Sequence, residues 1–349
     1  MQVKQEMIDL KDFTYVELEN FLSELGEPKF RASQIFKWLH LGVTSYDEMT
    51  DISKSLREKL KKISYVSTLE IETKLVSKLD GTVKYLFRLP DGNCIESVLM
   101  RYHHGITICI SSQVGCRMGC KFCASTIGGL YRSLTAGEIL NQVIFAQKDL
   151  KERISNIVLM GIGEPLDNYD NVIKFLKNVN NEKGICIGLR HITLSTCGIV
   201  PMIDALKDEN LPITLTISLH AADDETRSSI MPINKKYKIS ELIAACDSYQ
   251  KSTGRRISFE YALISGVNDS YHHAEKLAKL IKPLKGHINL IPVNYVKERG
   301  YKKGTKDEIN AFLRYLTDFG INATIRRELG SDISASCGQL RKKAANITE

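Results

Sequence analysis

The sequence predicts an α/β protein whose main part is a partial barrel of six strand-then-helix units. Beyond residue 105, short apolar runs of strand length alternate with longer segments whose apolar residues recur at helical spacing. Repeated strand–helix–strand connections are right-handed and give parallel strands, which favours a barrel or an open part of one. The six predicted strands are Ile106–Ile110, Asn156–Met160, His191–Thr196, Ile213–Leu219, Ile257–Ile264 and Ile288–Val293. Helical patterns between them include Thr135–Leu150, Tyr169–Val179 and Ile239–Ser252.

Residues 1–64 predict a helical accessory domain. Apolar residues keep helical spacing in this segment, and Gly26 and Pro28 interrupt the pattern between two helices. A third amphipathic run, from Ile52 to Ile63, is rich in lysine and arginine. Such a helix either contacts an RNA backbone or presents an ordinary solvated face.

Residues 65–104 predict a small antiparallel β extension, because the apolar period there changes from near 3.6 to 2 and Asp-Gly pairs mark hairpin turns. Glu96 lies within the last of these strands, among apolar residues. The pattern alone favours an outward-facing carboxylate over a base held in a site. The barrel is expected over residues 105–322, and a C-terminal strand and loop over 323–349.

Composition and charge place the chain among ordinary globular proteins. Hydrophobic residues make up 43% and charged residues 26% of the sequence, and the net charge is +7. This charge is compatible with a polyanionic partner such as RNA. No apolar run is long enough to span a bilayer and no export signal is visible, so we expect a cytoplasmic protein without a membrane partner. The nine cysteines then favour metal or redox chemistry over a disulfide framework.

Three cysteines follow the first barrel strand at C-x3-C-x2-C spacing: Cys116, Cys120 and Cys123. One loop can therefore aim three thiolates at a single point. Because an iron–sulfur cluster of the 4Fe–4S type usually takes four cysteines, three ligands would leave one iron open for chemistry. Zinc is the alternative, but structural zinc sites usually combine two separated ligand pairs, and no second pair is present here.

Small and polar residues follow the ends of the other predicted strands. In a barrel these ends meet at one rim, where ligands bind. Glycines there let the backbone approach a ligand, and a carboxylate can hold an ammonium or hydroxyl group. Each residue alone is also compatible with a turn or a helix cap. The residues are Gly163, Glu164, Ser195, Ser218, Leu219, His220 and Asn294.

The combination of motifs resembles the radical S-adenosylmethionine (radical SAM) superfamily. More narrowly, it resembles the RlmN/Cfr family of RNA adenine methyltransferases, from about residue 15 to 343, and most closely the branch that methylates C2. The segments that carry this resemblance are Ser112–Thr126, Met160–Asp170, Leu194–Pro201, Ile217–Ala221, Asn289–Asn294 and Asp332–Arg341.

The resemblance implies a mechanism through protein thiols. An aromatic C–H carbon of adenine is not nucleophilic, so a thiolate must carry the methyl group first. Cys337 matches the family cysteine that accepts the methyl group from SAM. A second SAM on the open iron is then cleaved reductively to a 5′-deoxyadenosyl radical, so each turnover uses two SAM. That radical takes a hydrogen from the methyl group on Cys337, and the resulting carbon radical adds to the ring.

The resemblance also implies how the enzyme–RNA adduct is resolved. Glu96 matches the family base that removes the ring proton. Cys109 matches the resolving thiol, which attacks Cys337 and releases the product with a transient disulfide. From its sequence context alone, Cys109 would be interpreted as an apolar thiol on the buried first strand of the barrel. The seven rim residues above match the family's SAM contacts, whereas Cys94, Cys186, Cys197 and Cys246 match no catalytic position.

The implied partners are RNA and an electron donor. The family's substrates are an adenosine of the peptidyl-transferase centre of 23S rRNA and the adenosine next to the anticodon of some tRNAs. The donor is expected to be flavodoxin or ferredoxin, and the enzyme is expected to be a monomer. Two alternatives remain: a C8-methylating resistance-type paralogue, or a zinc-stapled, non-catalytic RNA-binding protein. The candidate phosphate ligands are Arg326, Arg327, Lys297, Arg299, Lys302 and Lys303.

Overall fold

The computed structural model describes residues 7–340 and 343–344. Residues 1–6 of the predicted accessory domain lie outside this part of the chain. So do residues 341–342 and 345–349 of the predicted C-terminal loop. Among the described residues, no helix is long and apolar enough to cross a membrane.

A helical unit with its own apolar core forms the N-terminal part. Thr14 begins its first long helix with a reciprocal capping box that includes Glu17. The core contains Leu18, Ile35 and Leu56, one from each helix, all at most 2% exposed. The elements are β1 (Ile8–Asp9), α1 (Tyr15–Glu24), α2 (Phe30–His40), α3 (Lys54–Lys61) and β2 (Ser64–Tyr65).

The predicted β extension is continuous with the barrel sheet. Antiparallel pairing runs through four successive strands, and the last of them is the first strand of the barrel. These strands are β3 (Glu70–Val76), β4 (Val83–Arg88), β5 (Asn93–Tyr102) and β6 (Gly105–Cys109).

A small hairpin, which the sequence pattern did not predict, holds the cysteine loop. It consists of β7 (Gln113–Gly115) and β8 (Leu130–Ser133), which pair antiparallel. Gly115 has φ +80°, and a Cβ atom there would lie 2.0 Å from the carbonyl oxygen of Gly129. Only glycine fits this close approach, so the two ends of the cysteine loop are pinned together.

The strand-then-helix rhythm of the barrel is confirmed. Each of the six predicted strands is present, with ends within one residue of the prediction, and β14 adds a further parallel strand. The elements are α4 (Ala136–Leu150), β9 (Asn156–Leu159), α5 (Tyr169–Asn180), β10 (Ile192–Thr196), α6 (Val200–Asp208), β11 (Thr214–Ser218), α7 (Asp224–Ile230), α8 (Ile239–Thr253), β12 (Ser258–Leu263), α9 (Tyr271–Ile281), β13 (His287–Pro292), α10 (Lys306–Asp318), β14 (Ala323–Ile325) and β15 (Lys343–Ala344).

The main sheet has the strand order β14-β13-β12-β11-β10-β9-β6-β5-β4-β3, and β15 pairs with β5. Pairing is parallel from β6 to β14, with helices in the connections, as expected for an open, partial barrel. Because the parallel strands are buried, they are rich in isoleucine and leucine; Ile157, Leu194 and Ile217 are at most 1% exposed. The carboxyl ends of these strands meet at one rim, where the candidate residues lie.

Candidate active site

The three cysteines of the loop between β7 and β8 line one cavity. Cys116 and Cys120 are buried and Cys123 is half-buried. Burial raises the pKa of the Cys116 thiol to about 12, and the neighbouring Cys123 adds to the effect. Grouped thiols that resist ionisation become thiolates readily only when a cation binds them, so a metal cluster suits this loop.

The donor set fits a cluster better than a single zinc ion. Among residues 7–340, no three His, Cys, Asp or Glu side chains are placed to hold one metal ion. Structural zinc takes four ligands around one point, whereas a cluster with one open iron takes three thiolates, and three thiols line this cavity. The residues present therefore fit the cluster.

The same cavity, of about 150 Å³, collects the rim residues that were predicted to contact SAM. Leu219 is the exception: its side chain is fully buried and does not line the cavity. The amide of Leu219 instead donates to the carbonyl oxygen of Glu260 at 3.1 Å. The predicted residues in the lining are Gly163, Glu164, Ser195, Ser218, His220 and Asn294.

Glu164 ties two strand ends together. Its carboxylate accepts from the backbone N–H of Cys197 at 2.7 Å and of Leu166 at 3.1 Å. Burial raises the pKa of this carboxyl, and these hydrogen bonds partly offset the effect. At Gly163, φ is +110° and a Cβ atom would lie 2.7 Å from the Cβ atom of Gln113. The turn after β9 is therefore clamped against β7, next to the cysteine loop.

His220 is held as a neutral ring. Burial lowers its pKa to about 3, and the nearby Arg227 lowers it further. Its Nδ1 accepts from the backbone N–H of Ala262 at 2.8 Å, so the ring proton is on Nε2. The ring of Phe122, from the cysteine loop, packs edge-on with its centroid 4.9 Å away. His220 thus links the end of β11 to the cysteine loop.

The Cys337 loop lies directly on the cysteine loop, although the two are far apart in sequence. The N–H of Ala124 donates to the carbonyl oxygen of Gly338 at 2.7 Å, and the Ser125 hydroxyl donates to that of Leu340 at 2.8 Å. The side-chain amide of Asn294 donates to the carbonyl oxygen of Cys337 at 2.9 Å. These bonds place Cys337 at the boundary of two cavities, since it lines both.

The second cavity is larger, about 400 Å³, and both predicted catalytic thiols line it. Burial raises the pKa of Cys109 to about 12, and the proximity of Cys337 contributes. Burial also raises the pKa of Cys337, whereas Arg326 lowers it. All nine cysteines are free thiols in this structure.

Arg326 faces these thiols. Its guanidinium lies 3.5 Å from the Glu260 carboxylate, and Cys337 and Cys109 both raise its pKa. Arg299 likewise donates to the carbonyl oxygen of Cys123 and, at 2.6 Å, to the Thr126 hydroxyl. We therefore correct the interpretation of Arg326 and Arg299 as phosphate ligands, because both side chains are engaged within the site. The sequence gives no signal for this, since an arginine's direction depends on the packing of its loop.

Glu96 is buried, so the outward-facing interpretation drawn from its strand pattern is wrong. It is 1% exposed, and its carboxylate lies 3.0 Å from the Lys84 ammonium. Lys84 also donates to the carbonyl oxygen of Ser334, in the segment before Cys337. Glu96 shares a strand face with Val98 and Met100, which line the larger cavity, but it is not itself in the lining.

Among the other four cysteines, Cys197 lines the smaller cavity, together with the residues predicted to contact SAM. Cys94 and Cys246 are buried, and Cys186 is exposed.

The partial barrel and its three-thiol rim loop define a radical SAM enzyme, and residues 110–281 match the model of the radical SAM superfamily. Residues 8–66 match the ribosomal RNA large subunit methyltransferase N-terminal domain. A protein named "Probable dual-specificity RNA methyltransferase RlmN" in Alkaliphilus oremlandii (strain OhILAs) is 56% identical over 338 residues, covering 97% of this chain and 98% of that protein. The chain therefore belongs to the RlmN family.

Two further comparisons agree. A Clostridium perfringens (strain 13 / Type A) protein of the same name is 56% identical over 337 residues, which cover 96% of this chain and 97% of that protein. The crystal structure of a radical SAM methyltransferase from Sphaerobacter thermophilus superimposes with a TM-score of 0.91 at 44% identity, covering 95% of this chain and 99% of that one.

Proposed function

We propose that this protein methylates C2 of an adenosine in 23S rRNA, at the peptidyl-transferase centre, and in tRNA, next to the anticodon. Family membership supports the proposal, and one observation carries it. Two thiols, Cys337 and Cys109, line a nucleoside-sized cavity directly beside the three-thiol loop. A methyltransferase that moves the methyl group directly from SAM to a nucleophilic atom needs neither thiol.

The cofactors are a 4Fe–4S cluster and SAM, two molecules per turnover. Cys116, Cys120 and Cys123 would hold the cluster, and the rim residues that line the smaller cavity would hold SAM. When bound, they supply a methyl group and the one-electron chemistry that activates it. Leu219 acts by positioning its neighbours Ser218 and His220, because its side chain lies outside the cavity and its backbone groups bond with Glu260 and Arg227.

Cys337 carries the methyl group. Its thiolate displaces the methyl carbon from the sulfonium of SAM; the new S–C bond forms as the old one breaks, and S-adenosylhomocysteine leaves. Arg326 supports this step because its positive charge lowers the pKa of the Cys337 thiol. Asn294 holds the backbone of Cys337 between the SAM cavity and the substrate cavity.

Glu96 and Cys109 complete the reaction. Glu96 takes the proton from the methylated ring carbon. Its carboxylate is paired with Lys84, which also bonds to Ser334, so this pair has to open before the carboxylate can reach the ring. The thiolate of Cys109 then attacks the sulfur of Cys337. The S–S bond forms as the bond from that sulfur to the product carbon breaks. That carbon keeps the electron pair and takes up a proton to become the methyl group of the product, and external reductant later restores both thiols.

The partners follow from this chemistry. An electron donor such as flavodoxin or ferredoxin reduces the cluster, and the monomeric enzyme acts in the cytoplasm. The helical unit of residues 8–66 meets the RNA together with exposed basic residues at the mouth of the larger cavity. Those residues are Lys303, Lys306 and Arg327.

The C2 position is proposed over C8 because Glu164-Pro165-Leu166 resembles the C2 branch. The test is to incubate the anaerobically reconstituted, reduced protein with SAM and rRNA or tRNA and to map the methylated atom by mass spectrometry. We expect 2-methyladenosine in both RNAs from the wild type, and none from Cys337→Ala. Cys186→Ala, which changes an exposed thiol outside both cavities, is the matched control and should be fully active.

A C8 product would favour the resistance-type paralogue, and product formation by Cys337→Ala would refute the thiol mechanism. Metal analysis separates the remaining alternative: one zinc and no iron would indicate the zinc-stapled RNA-binding protein.

A further inference from the structure

Arg227, on α7, is a fully buried arginine in the wall behind the SAM cavity, with 0% of its surface exposed. Its guanidinium donates to the carbonyl oxygens of Cys197 at 2.7 Å, Ser218 at 3.2 Å and Leu219 at 3.0 Å. A fourth bond goes to the side-chain oxygen of Asn234 at 3.1 Å. Arg227 therefore ties the ends of β10 and β11 together at the rim.

All four of these acceptors are neutral. Within residues 7–340, no carboxylate oxygen lies within 4.0 Å of the Arg227 nitrogens. Burial without an ion-pair partner is unfavourable for a guanidinium, and accordingly burial lowers the pKa of Arg227. Such a charge is retained where a negative group nearby offsets its desolvation.

With three thiolates holding a cluster, the cysteine loop is such a negative neighbour, in addition to Asp224. The N–H of Lys121 donates to the carbonyl oxygen of Ile230, at the end of α7, at 2.9 Å. Met231, the next residue, lines the same cavity as the three thiols. Cys197 and Ser218, whose carbonyl oxygens accept from Arg227, line that cavity too, and Cys120 packs with Cys197, Ile230 and Met231 in one buried cluster.

We propose that Arg227 is the buried counter-charge of the iron–sulfur cluster, and that it raises the reduction potential of the cluster. The inference rests on the proposed function, because it assumes that the three thiolates hold a cluster. Reduction adds one electron, from the electron donor, to a site that already carries the charge of three thiolates. A fixed positive charge in a medium of low dielectric constant stabilises the more negative, reduced state.

The experiment compares cluster potentials in the full-length, reconstituted protein, without RNA. Anaerobic redox titration with mediators, followed by electron paramagnetic resonance of the reduced cluster, gives the midpoint potential. For Arg227→Gln we expect the equilibrium constant for reduction to fall about tenfold, which is 59 mV for one electron. Lys235→Gln removes the same charge from an exposed position in the segment after α7 and should leave the potential unchanged, since water screens it.

A second variant keeps the test decisive if Arg227→Gln does not fold or load iron. Asp224 is the acidic group that interacts electrostatically with Arg227. Asp224→Asn keeps the hydrogen-bonding shape and removes a negative charge, so the equilibrium constant should rise two- to threefold. A purely structural role for Arg227 does not predict opposite shifts in the two variants.

The outcomes separate the two proposals. If the wild type binds no iron and sulfide, the proposed function fails. If it binds the cluster but Arg227→Gln has an unchanged or higher potential, only the inference about Arg227 fails. If Arg227→Gln does not load the cluster, an unchanged or lower potential in Asp224→Asn likewise overturns the inference.

Discussion

Arg326 shows how one side chain can set the chemistry of two thiols. Burial by itself would keep Cys337 protonated at neutral pH, because a thiolate in an apolar cavity is unfavourable. The guanidinium opposes this effect from a position shared by Cys109, Cys337 and Glu260. Burial still outweighs the guanidinium, so the pKa of Cys337 stays above its ordinary value, but below the value that it would have without Arg326.

Replacement of Arg326 with glutamine should raise the pKa of Cys337 by about one unit, or roughly 1.4 kcal/mol. Alkylation of Cys337 by iodoacetamide at pH 8 should then be about tenfold slower, measured by mass spectrometry of the peptide that contains it. Arg327→Gln is the matched control, because Arg327 is exposed and its removal should leave the rate within twofold. Equal alkylation rates in Arg326→Gln and the wild type would contradict the assigned role.

At the scale of elements, α2 is attached to the barrel through a buried histidine. His40, the last residue of α2, is 6% exposed, and its Nδ1 accepts from the backbone N–H of Ile185 at 3.3 Å. A Cβ atom at Gly184 would lie 2.5 Å from this nitrogen, so the segment after α5 packs directly on the ring. Burial lowers the pKa of His40 to about 3, with a further contribution from Lys11.

This depressed pKa makes the attachment sensitive to acid. The unfolded chain binds a proton at His40 near pH 6.5, whereas the folded chain binds it only near pH 3, so stability is lost as the pH falls through this window. Between pH 6.5 and 5 we expect the free energy of unfolding to fall by about 2 kcal/mol more in the wild type than in His40→Gln. Urea unfolding at several pH values measures the difference.

Glutamine can still accept from Ile185 but does not titrate. His104→Gln changes an exposed histidine and should keep the acid sensitivity of the wild type. If the wild type and His40→Gln have parallel pH profiles, the ring is not buried as described.

At the scale of the whole molecule, the substrate cavity opens beside a set of basic residues. Lys303, Lys306 and Arg327 are all exposed there, and Lys303 forms an ion pair with Glu328 at 2.8 Å. A polyanion that binds at this mouth would release counterions, which makes its affinity depend on salt. The chain has a net charge of +7, and some of its basic residues lie at the mouth of this cavity, where they would attract a polyanion.

The double variant Lys306→Gln/Arg327→Gln should bind RNA more weakly and with a flatter salt dependence. If each residue contacts one phosphate of a single-stranded segment, the slope of log affinity against log salt should decrease by about 1.4. Fluorescence anisotropy with a labelled RNA fragment measures this slope. The control Lys251→Gln/Lys279→Gln removes two exposed lysines from the outer helices α8 and α9, and should leave the slope unchanged. An unaltered slope in the first double variant would place the RNA elsewhere.

The sequence alone determined the parallel-barrel architecture and the loop that carries the chemistry. Buried parallel strands appear in the sequence as short apolar runs, and the helices that connect them appear as amphipathic repeats. Each pattern is contained within one segment, so it can be recognised without knowing the tertiary contacts. The spacing of Cys116, Cys120 and Cys123 is local for the same reason. The catalytic assignments of Cys337, Cys109 and Glu96 came from the family resemblance and not from their own sequence context, and they remain proposals.

The tertiary structure decided everything that depends on contacts between distant segments. Glu96 alternates like a surface residue but is buried, because the segment before Cys337 and Lys84 cover it. Arg326 and Arg227 turn into the site, and Leu219 turns away from the SAM cavity, because the packing of neighbouring loops fixes their directions. A strand pattern records which residues are apolar. It does not show which distant segment packs over those residues. The packing of that segment determines how buried each group in this site is and which charged groups lie next to it.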